Sequence, residues 1–186
     1  MKEIAVGILV FSFLVLAGCS KEAVSTPQAS TKSQSSGDFF ESISKSLVTA
    51  EDGKFTSNYG GVTNPKFTAI YYSAHWCPPC RLFTPKLVEW YNEFQPKHKD
   101  FQLVFASSDK DEKAMLEYMT ETKMPWPAIR FSQKKASGVE KFAADGIPYL
   151  VLIDEKGKDL TGKPGNEWQA PAEVLKQIEE MVGGKK

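Results

Sequence analysis

The stretch SAHWCPPCRLF, residues 73–83, sets two cysteines three positions apart between a tryptophan and an arginine, with two prolines filling the gap. Such a pair has four chemical uses: a metal clip, a haem tether, a structural staple or a redox-active disulfide. Zinc takes four ligands, or three and a water, from cysteine, histidine and carboxylates. The chain offers Cys77, Cys80, His75 and His98, and His98 lies in a charged segment without ligand spacing. A c-type haem tether needs histidine directly after the second cysteine, and position 81 is arginine. Soft thiolates suit copper(I), and that reading stays open. A staple stabilises by closing a long loop, so a two-residue gap restrains the unfolded chain very little. Redox chemistry suits the spacing better, because residues i and i+3 on a first helical turn bring their sulfurs together with little backbone movement.

The flanking sequence supplies that helical turn. FTAIYYS (Phe67–Ser73), FQLVFAS (Phe101–Ser107) and YLVLID (Tyr149–Asp154) are short, β-branched or aromatic, and bounded by turn residues, which predicts buried strands. After the cysteines, Phe83, Leu87, Trp90, Tyr91 and Phe94 recur at helical spacing and form a core-facing stripe. Cys77 is thus expected at a helix N-terminus, where unpaired N–H groups and the macrodipole favour a thiolate. Pro78 and Pro79 fit a first turn, whose N–H groups have no intrahelical acceptor. Cys80, one turn in, is expected to be shielded and to act as the resolving thiol.

Elsewhere SLVTAEDGKF reads as two short strands around an Asp52-Gly53 turn. Asp109 and Glu112 read as a capping box opening a helix to about Thr122. DEKGKDL reads as a hairpin turn. Pro171, with Val174, Leu175, Ile178 and Val182 behind it, opens an amphipathic helix ending at Gly183 and Gly184. Strands interleaved with helices predict an α/β domain on a mixed or parallel sheet.

The chain has 186 residues, of which 23 are Lys or Arg and 23 Asp or Glu. That is the length of one well-cored domain with extensions, and a zero net charge gives no basic surplus for nucleic acid. Residues 4–16 form an apolar run of about 13 residues, the length of a signal-peptide core and short of the ~20 needed to span a membrane. The run ends in LAGC, residues 16–19, which resembles a bacterial lipobox and implies cleavage before Cys19 and lipidation of its thiol. An ordinary secretory signal is the alternative, but it leaves an odd cysteine. The Ser-, Thr- and Gln-rich residues 20–37 cannot form a core. The expected organisation is a signal peptide at 1–18, lipidated Cys19 with a flexible tether at 19–37, and a folded domain at 38–186.

With WCPPCR after an apolar strand, the chain resembles the thioredoxin superfamily. Together, YYSAHWCPPCRLFTPKL, LVFASSDKDE, MPWPAIRF and GIPYLVLIDEKGK make it similar to tryparedoxins and nucleoredoxins. The resemblance implies an α/β thioredoxin fold, a central mixed β-sheet flanked by helices on both faces. It also implies a thiol-disulfide oxidoreductase. Trp76, Cys77, Pro78, Pro79 and Cys80 form the implied active-site motif, with Cys77 as nucleophile, and Pro148 is an implied cis-proline facing the disulfide. Ile147, Trp76 and Trp126 are the implied substrate-binding residues.

Tyr71 stands where thioredoxins bury an aspartate six residues before the nucleophile, which leaves open the group that deprotonates Cys80. Arg130 and Tyr149 also depart from the tryparedoxin pattern and suggest altered partner recognition. His75 reads either as an aid to the thiolate or as an exposed loop residue, and Arg81 as a solvated residue or a modest electrostatic helper.

No cofactor beyond the Cys77–Cys80 pair and no metal is implied. Expected partners are a protein or small-thiol disulfide, an unidentified electron donor, and the membrane through lipidated Cys19. The expected location is a membrane-anchored lipoprotein facing the periplasm, with Ser20 pointing to the outer membrane. The alternative is a non-enzymatic copper(I) chaperone or partner-binding head.

Overall fold

The computed structural model describes residues 39–57 and 59–184, all within the unit Gln34–Lys186. The expected signal peptide, Cys19 and the whole tether lie outside the described residues. In chain order the elements are α1 (Phe39–Ser44), β1 (Leu47–Glu51), β2 (Lys54–Thr56), β3 (Phe67–Ser73), α2 (Pro78–Phe94), β4 (Phe101–Ser107), α3 (Glu112–Glu121), β5 (Ala128–Ile129), β6 (Tyr149–Asp154) and α4 (Pro171–Val182). Short 3-10 turns complete the connections.

The strands form one mixed sheet in the order β2-β1-β5-β4-β3-β6. β3 and β4 are parallel over their full length, joined by the crossover helix α2, and β6 returns antiparallel against the other edge of β3. Because side chains alternate along a strand, the continuous apolar runs of β3, β4 and β6 face two cores. Ala69, Tyr71, Leu103, Phe105, Leu150 and Leu152 pack with side chains of α2, α3 and α4. Ile70, Tyr72, Val104, Ala106, Tyr149 and Val151 pack on the other side with α1 and the turn containing Val139 and Phe142. Strand β3, flanked by β4 and β6, is sealed on both faces, and its C-terminal end leads into the cysteine loop.

The Asp52-Gly53 turn joins β1 to β2, and both residues take positive φ, 48° and 71°, as a two-residue hairpin turn with right-handed strand twist requires. After β6, Leu160 N–H returns to Leu152 O at 2.8 Å, closing the expected hairpin. α4 begins at Pro171 and buries Val174 and Ile178.

The cap of α3 differs from the sequence reading. Its N-cap is Asp111, whose carboxylate accepts from Ala114 N at 2.8 Å, so Glu112 occupies the first helical position and no capping box forms. Two aspartates two residues apart compete for this role. The one directly before the helical period of Met115, Tyr118 and Met119 takes it, and Asp109 is left to a different task. α1 and the two-residue β5 had no sequence signal of their own.

Candidate active site

At the C-terminal end of β3 the chain leaves the sheet at Ala74 and enters α2 at Cys77. Cys77 is the N-cap, with extended dihedrals (φ −89°, ψ 109°), and its Sγ accepts from Cys80 N at 3.3 Å. Pro78 and Pro79 occupy the first two helical positions, which have no N–H to satisfy. Cys77 N–H bonds to Ala74 O at 3.2 Å and Arg81 N–H to Cys77 O at 3.1 Å, so the turn is braced on both sides. Cys77 and Cys80 are joined by a disulfide, with Cα atoms 5.2 Å apart. Cys80 is fully buried and Cys77 only 3% exposed. Once reduced, a Cys77 sulfur at this N-terminus already has one N–H directed at it, an arrangement that stabilises the anion.

The opposite wall comes from the loop before β6. Ile147-Pro148 is a cis peptide, and the Ile147 carbonyl oxygen lies 3.8 Å from Cys77 Sγ. The Ile147 side chain packs on Ala74, Cys77 and Cys80. Trp76 is 58% exposed, and its indole N–H donates to Ser108 O at 3.1 Å, which sets the ring beside the disulfide loop. Arg81 is exposed.

Beneath Cys80 runs a buried chain of hydroxyls. Thr84 Oγ1 donates to Cys80 O at 2.9 Å and lies within hydrogen-bond distance of Tyr71 OH at 2.8 Å and of Tyr118 OH. Tyr118 OH is 3.0 Å from Ser73 Oγ. A hydroxyl has one proton to give. Since Thr84 gives its own to Cys80 O, Tyr71 and Tyr118 donate to Thr84. Burial, reinforced by Tyr118, holds the Tyr71 phenol well above its ordinary pKa. Tyr71 therefore stays protonated at neutral pH and does not replace a buried carboxylate as a base.

Asp109, nearly buried, ties the loops together. Its carboxylate accepts from His75 N at 2.7 Å and from Ser107 Oγ at 2.7 Å, linking the cysteine loop to the end of β4. The His75 ring is stacked on Tyr118, with centroids 5.5 Å apart, and its Nε2 lies 2.9 Å from Glu121 Oε2. It is neither idle nor aimed at the sulfurs.

Three residues read from the sequence as substrate or partner contacts lie elsewhere. Trp126 is fully buried in the core, edge-on to Tyr91 at 5.2 Å, so it supports the fold and presents no substrate surface. Tyr149 is likewise fully buried, beneath the sheet beside Tyr72. Arg130 braces the sheet edge by donating to Ser57 Oγ at 2.9 Å, away from the disulfide. Conversely, Thr84, Tyr118, Asp109 and Trp168, whose indole N–H donates to Pro148 O at 2.9 Å, belong to the site's surroundings although the sequence reading assigned them no place there. Only Thr84, one helical turn after Cys80, carried a usable signal. Among the described residues no group of three or more His, Cys, Asp or Glu is placed to hold a metal.

A sequence profile described as thioredoxin-like matches residues 64–158. A probable nucleoredoxin 1 from Arabidopsis thaliana is 44% identical over 97 residues, which is 52% of this chain and 16% of that protein. The chain thus spans less than a quarter of the length of that relative. Tryparedoxin I from Crithidia fasciculata superposes with a TM-score of 0.55 at 31% identity, covering 80% of this chain and 98% of that one. Tryparedoxin I from Leishmania major gives 0.57 at 26% identity, covering 78% and 96%.

Proposed function

Because the chain belongs to the thioredoxin-like family, in its tryparedoxin and nucleoredoxin branch, a family of redox oxidoreductases, we propose that it reduces protein disulfides through Cys77 and Cys80. The observation that carries this reading is the disulfide closed across the first turn of α2, with Cys77 at the N-cap and the Ile147 carbonyl facing it.

In the reaction the Cys77 thiolate attacks one sulfur of a substrate disulfide. The other substrate sulfur leaves as a thiolate and takes up a proton. Cys80, deprotonated, then attacks Cys77 Sγ, releasing the second substrate thiol and closing the Cys77–Cys80 disulfide. Two electrons and two protons pass to the substrate, and an external dithiol donor restores the reduced pair by the reverse exchange. The hydroxyl chain beneath Cys80 holds the turn in register, and the proton of Cys80 leaves to solvent-linked groups or to the departing substrate thiolate. Two structural neighbours matched over nearly their own whole length are tryparedoxins, which supports a thiol-exchange role. We further propose that residues 38–186 work outside the cytoplasm, held to a membrane by lipidated Cys19 at the end of the LAGC motif, with residues 20–37 as tether.

Substitution separates the two sulfurs. Cys77→Ser abolishes disulfide reduction, whereas Cys80→Ser accumulates a mixed disulfide through Cys77, visible on non-reducing gels and by mass. Full activity in Cys77→Ser would sink the assignment.

A further inference from the structure

Four large hydrophobic side chains are exposed among the described residues: Trp76, Leu82, Trp168 and Met181. Trp76 adjoins the disulfide, and Leu82 lies two residues beyond it in α2. Trp168 comes from the distant loop before α4, yet its indole N–H donates to Pro148 O at 2.9 Å. Its ring lies so close over Gly146 that a Cβ there would come within 3.1 Å of Trp168 Cδ1. The neighbouring Gln169 is buried and donates to Thr161 O, which pins the backbone from which the ring projects. Even so, 47% of Trp168 faces solvent.

The sheet topology places the two indoles. β3, which leads into the cysteine loop, lies between β4 and β6. Trp76 is anchored on Ser108, one residue past the end of β4, and Trp168 on Pro148, one residue before β6. β4 runs parallel and β6 antiparallel to β3, so both anchors fall at the same end of the sheet. The indoles are therefore tied to positions two strand spacings apart, about 10 Å, with the disulfide loop between them.

Resting on the redox reading above, we propose that Trp168 is a specificity residue that selects extended polypeptide disulfides over small ones. At ~3.3 Å per residue, about three residues of extended chain bridge the two anchors. A substrate cysteine seated over Cys77 then lays an apolar side chain against each indole. A compact small-molecule disulfide reaches Cys77 without touching Trp168. Trp168 also holds the carbonyl of Pro148, so its ring and its N–H have separable tasks.

The test compares Trp168→Ala, Trp168→Phe and the wild-type protein on two disulfides, insulin and hydroxyethyl disulfide. Trp168→Ala is expected to lower kcat/KM for insulin about tenfold or more through KM, and hydroxyethyl disulfide turnover only by the smaller amount that loss of the bond to Pro148 O causes in Trp168→Phe as well. Trp168→Phe, which keeps a ring and loses the N–H, is expected to recover most of the insulin activity. An equal loss on both disulfides would reduce Trp168 to a brace for the Pro148 loop and overturn the proposal, as would no loss on either. A wild-type protein that reduces neither disulfide would overturn the redox reading and this inference with it.

Discussion

Replacing Thr84 by valine removes one oxygen while keeping the branched shape of the side chain, at a position with no solvent exposure. In the native protein that oxygen gives its proton to Cys80 O and lies within hydrogen-bond distance of Tyr71 and Tyr118. Tyr118 has Ser73 Oγ at 3.0 Å to turn to, so its loss is partial. Tyr71 OH likewise keeps Ser73 and Tyr118 within reach, so its loss is partial too, and each weakened buried bond costs a fraction of the ~1–3 kcal/mol of a wholly unpaired group. Two weakened bonds and the lost bond to Cys80 O come to about 2 kcal/mol. For a domain of this size that lowers Tm by roughly 4–8 °C. The assay is thermal and urea unfolding of Thr84→Val with the disulfide both closed and reduced, beside Thr84→Ser, which restores the hydroxyl and is expected to regain most of the loss. Tyr71→Phe in the Thr84→Val background removes the hydroxyl whose bond Thr84→Val already takes away, so the double variant should be less destabilised than the sum of the two singles by about 1 kcal/mol. A loss below about 0.5 kcal/mol in Thr84→Val, or strict additivity in the cycle, would refute the hydroxyl-chain reasoning.

Asp109→Ala strips the acceptor from His75 N and Ser107 Oγ and is expected to destabilise by about 2–3 kcal/mol. Disulfide-reduction rate should fall with it, because the cysteine loop is no longer held to the end of β4; Asp109→Asn, which keeps one acceptor, should be intermediate in both melting and turnover. Alkaline stability follows from the tyrosines. Burial raises Tyr71, Tyr72 and Tyr91 above their ordinary value, with Tyr91 at about 12. A raised folded pKa contributes stability that is fully present below pH ~10 and is lost as pH rises through the folded values, at about 1.4 kcal/mol per unit for each group. Urea midpoints should therefore be level from pH 7 to 9 and fall from pH 10 to 12. Tyr91→Phe should make that fall shallower, and midpoints level to pH 12 in the parent would show that these phenols are not desolvated.

The parts of the fold visible in the sequence were those whose signal is local. β3, β4 and β6 are unbroken apolar runs between turn residues, and their observed limits coincide with those runs because both faces of each strand are buried. β5 has two residues, Ala128 and Ile129, too few for any period to show. Asp109 and Asp111 are chemically equivalent as caps, and only the packing of the cysteine loop against β4 decides that the first one serves that loop. Trp126 and Tyr149 sit beside motif residues in the chain, but adjacency in sequence does not fix which way a side chain points. Tyr149 begins β6 with its ring turned to the core that holds Tyr72 and Val151, while Leu150 takes the other face. Trp168 reaches Pro148 across twenty residues of chain, and Tyr118 reaches Ser73 across forty-five. Contacts of that kind arise from the topology and leave no periodic trace.

The most direct measurement is the reduction potential of the Cys77–Cys80 pair, read from thiol alkylation after equilibration in glutathione and dithiothreitol buffers. A protein that reduces disulfides should give a single two-electron transition below about −220 mV, lost in Cys77→Ser. A transition above about −150 mV would make the pair an oxidant and contradict the proposed direction. A pair that exchanges with neither buffer would contradict the redox centre itself.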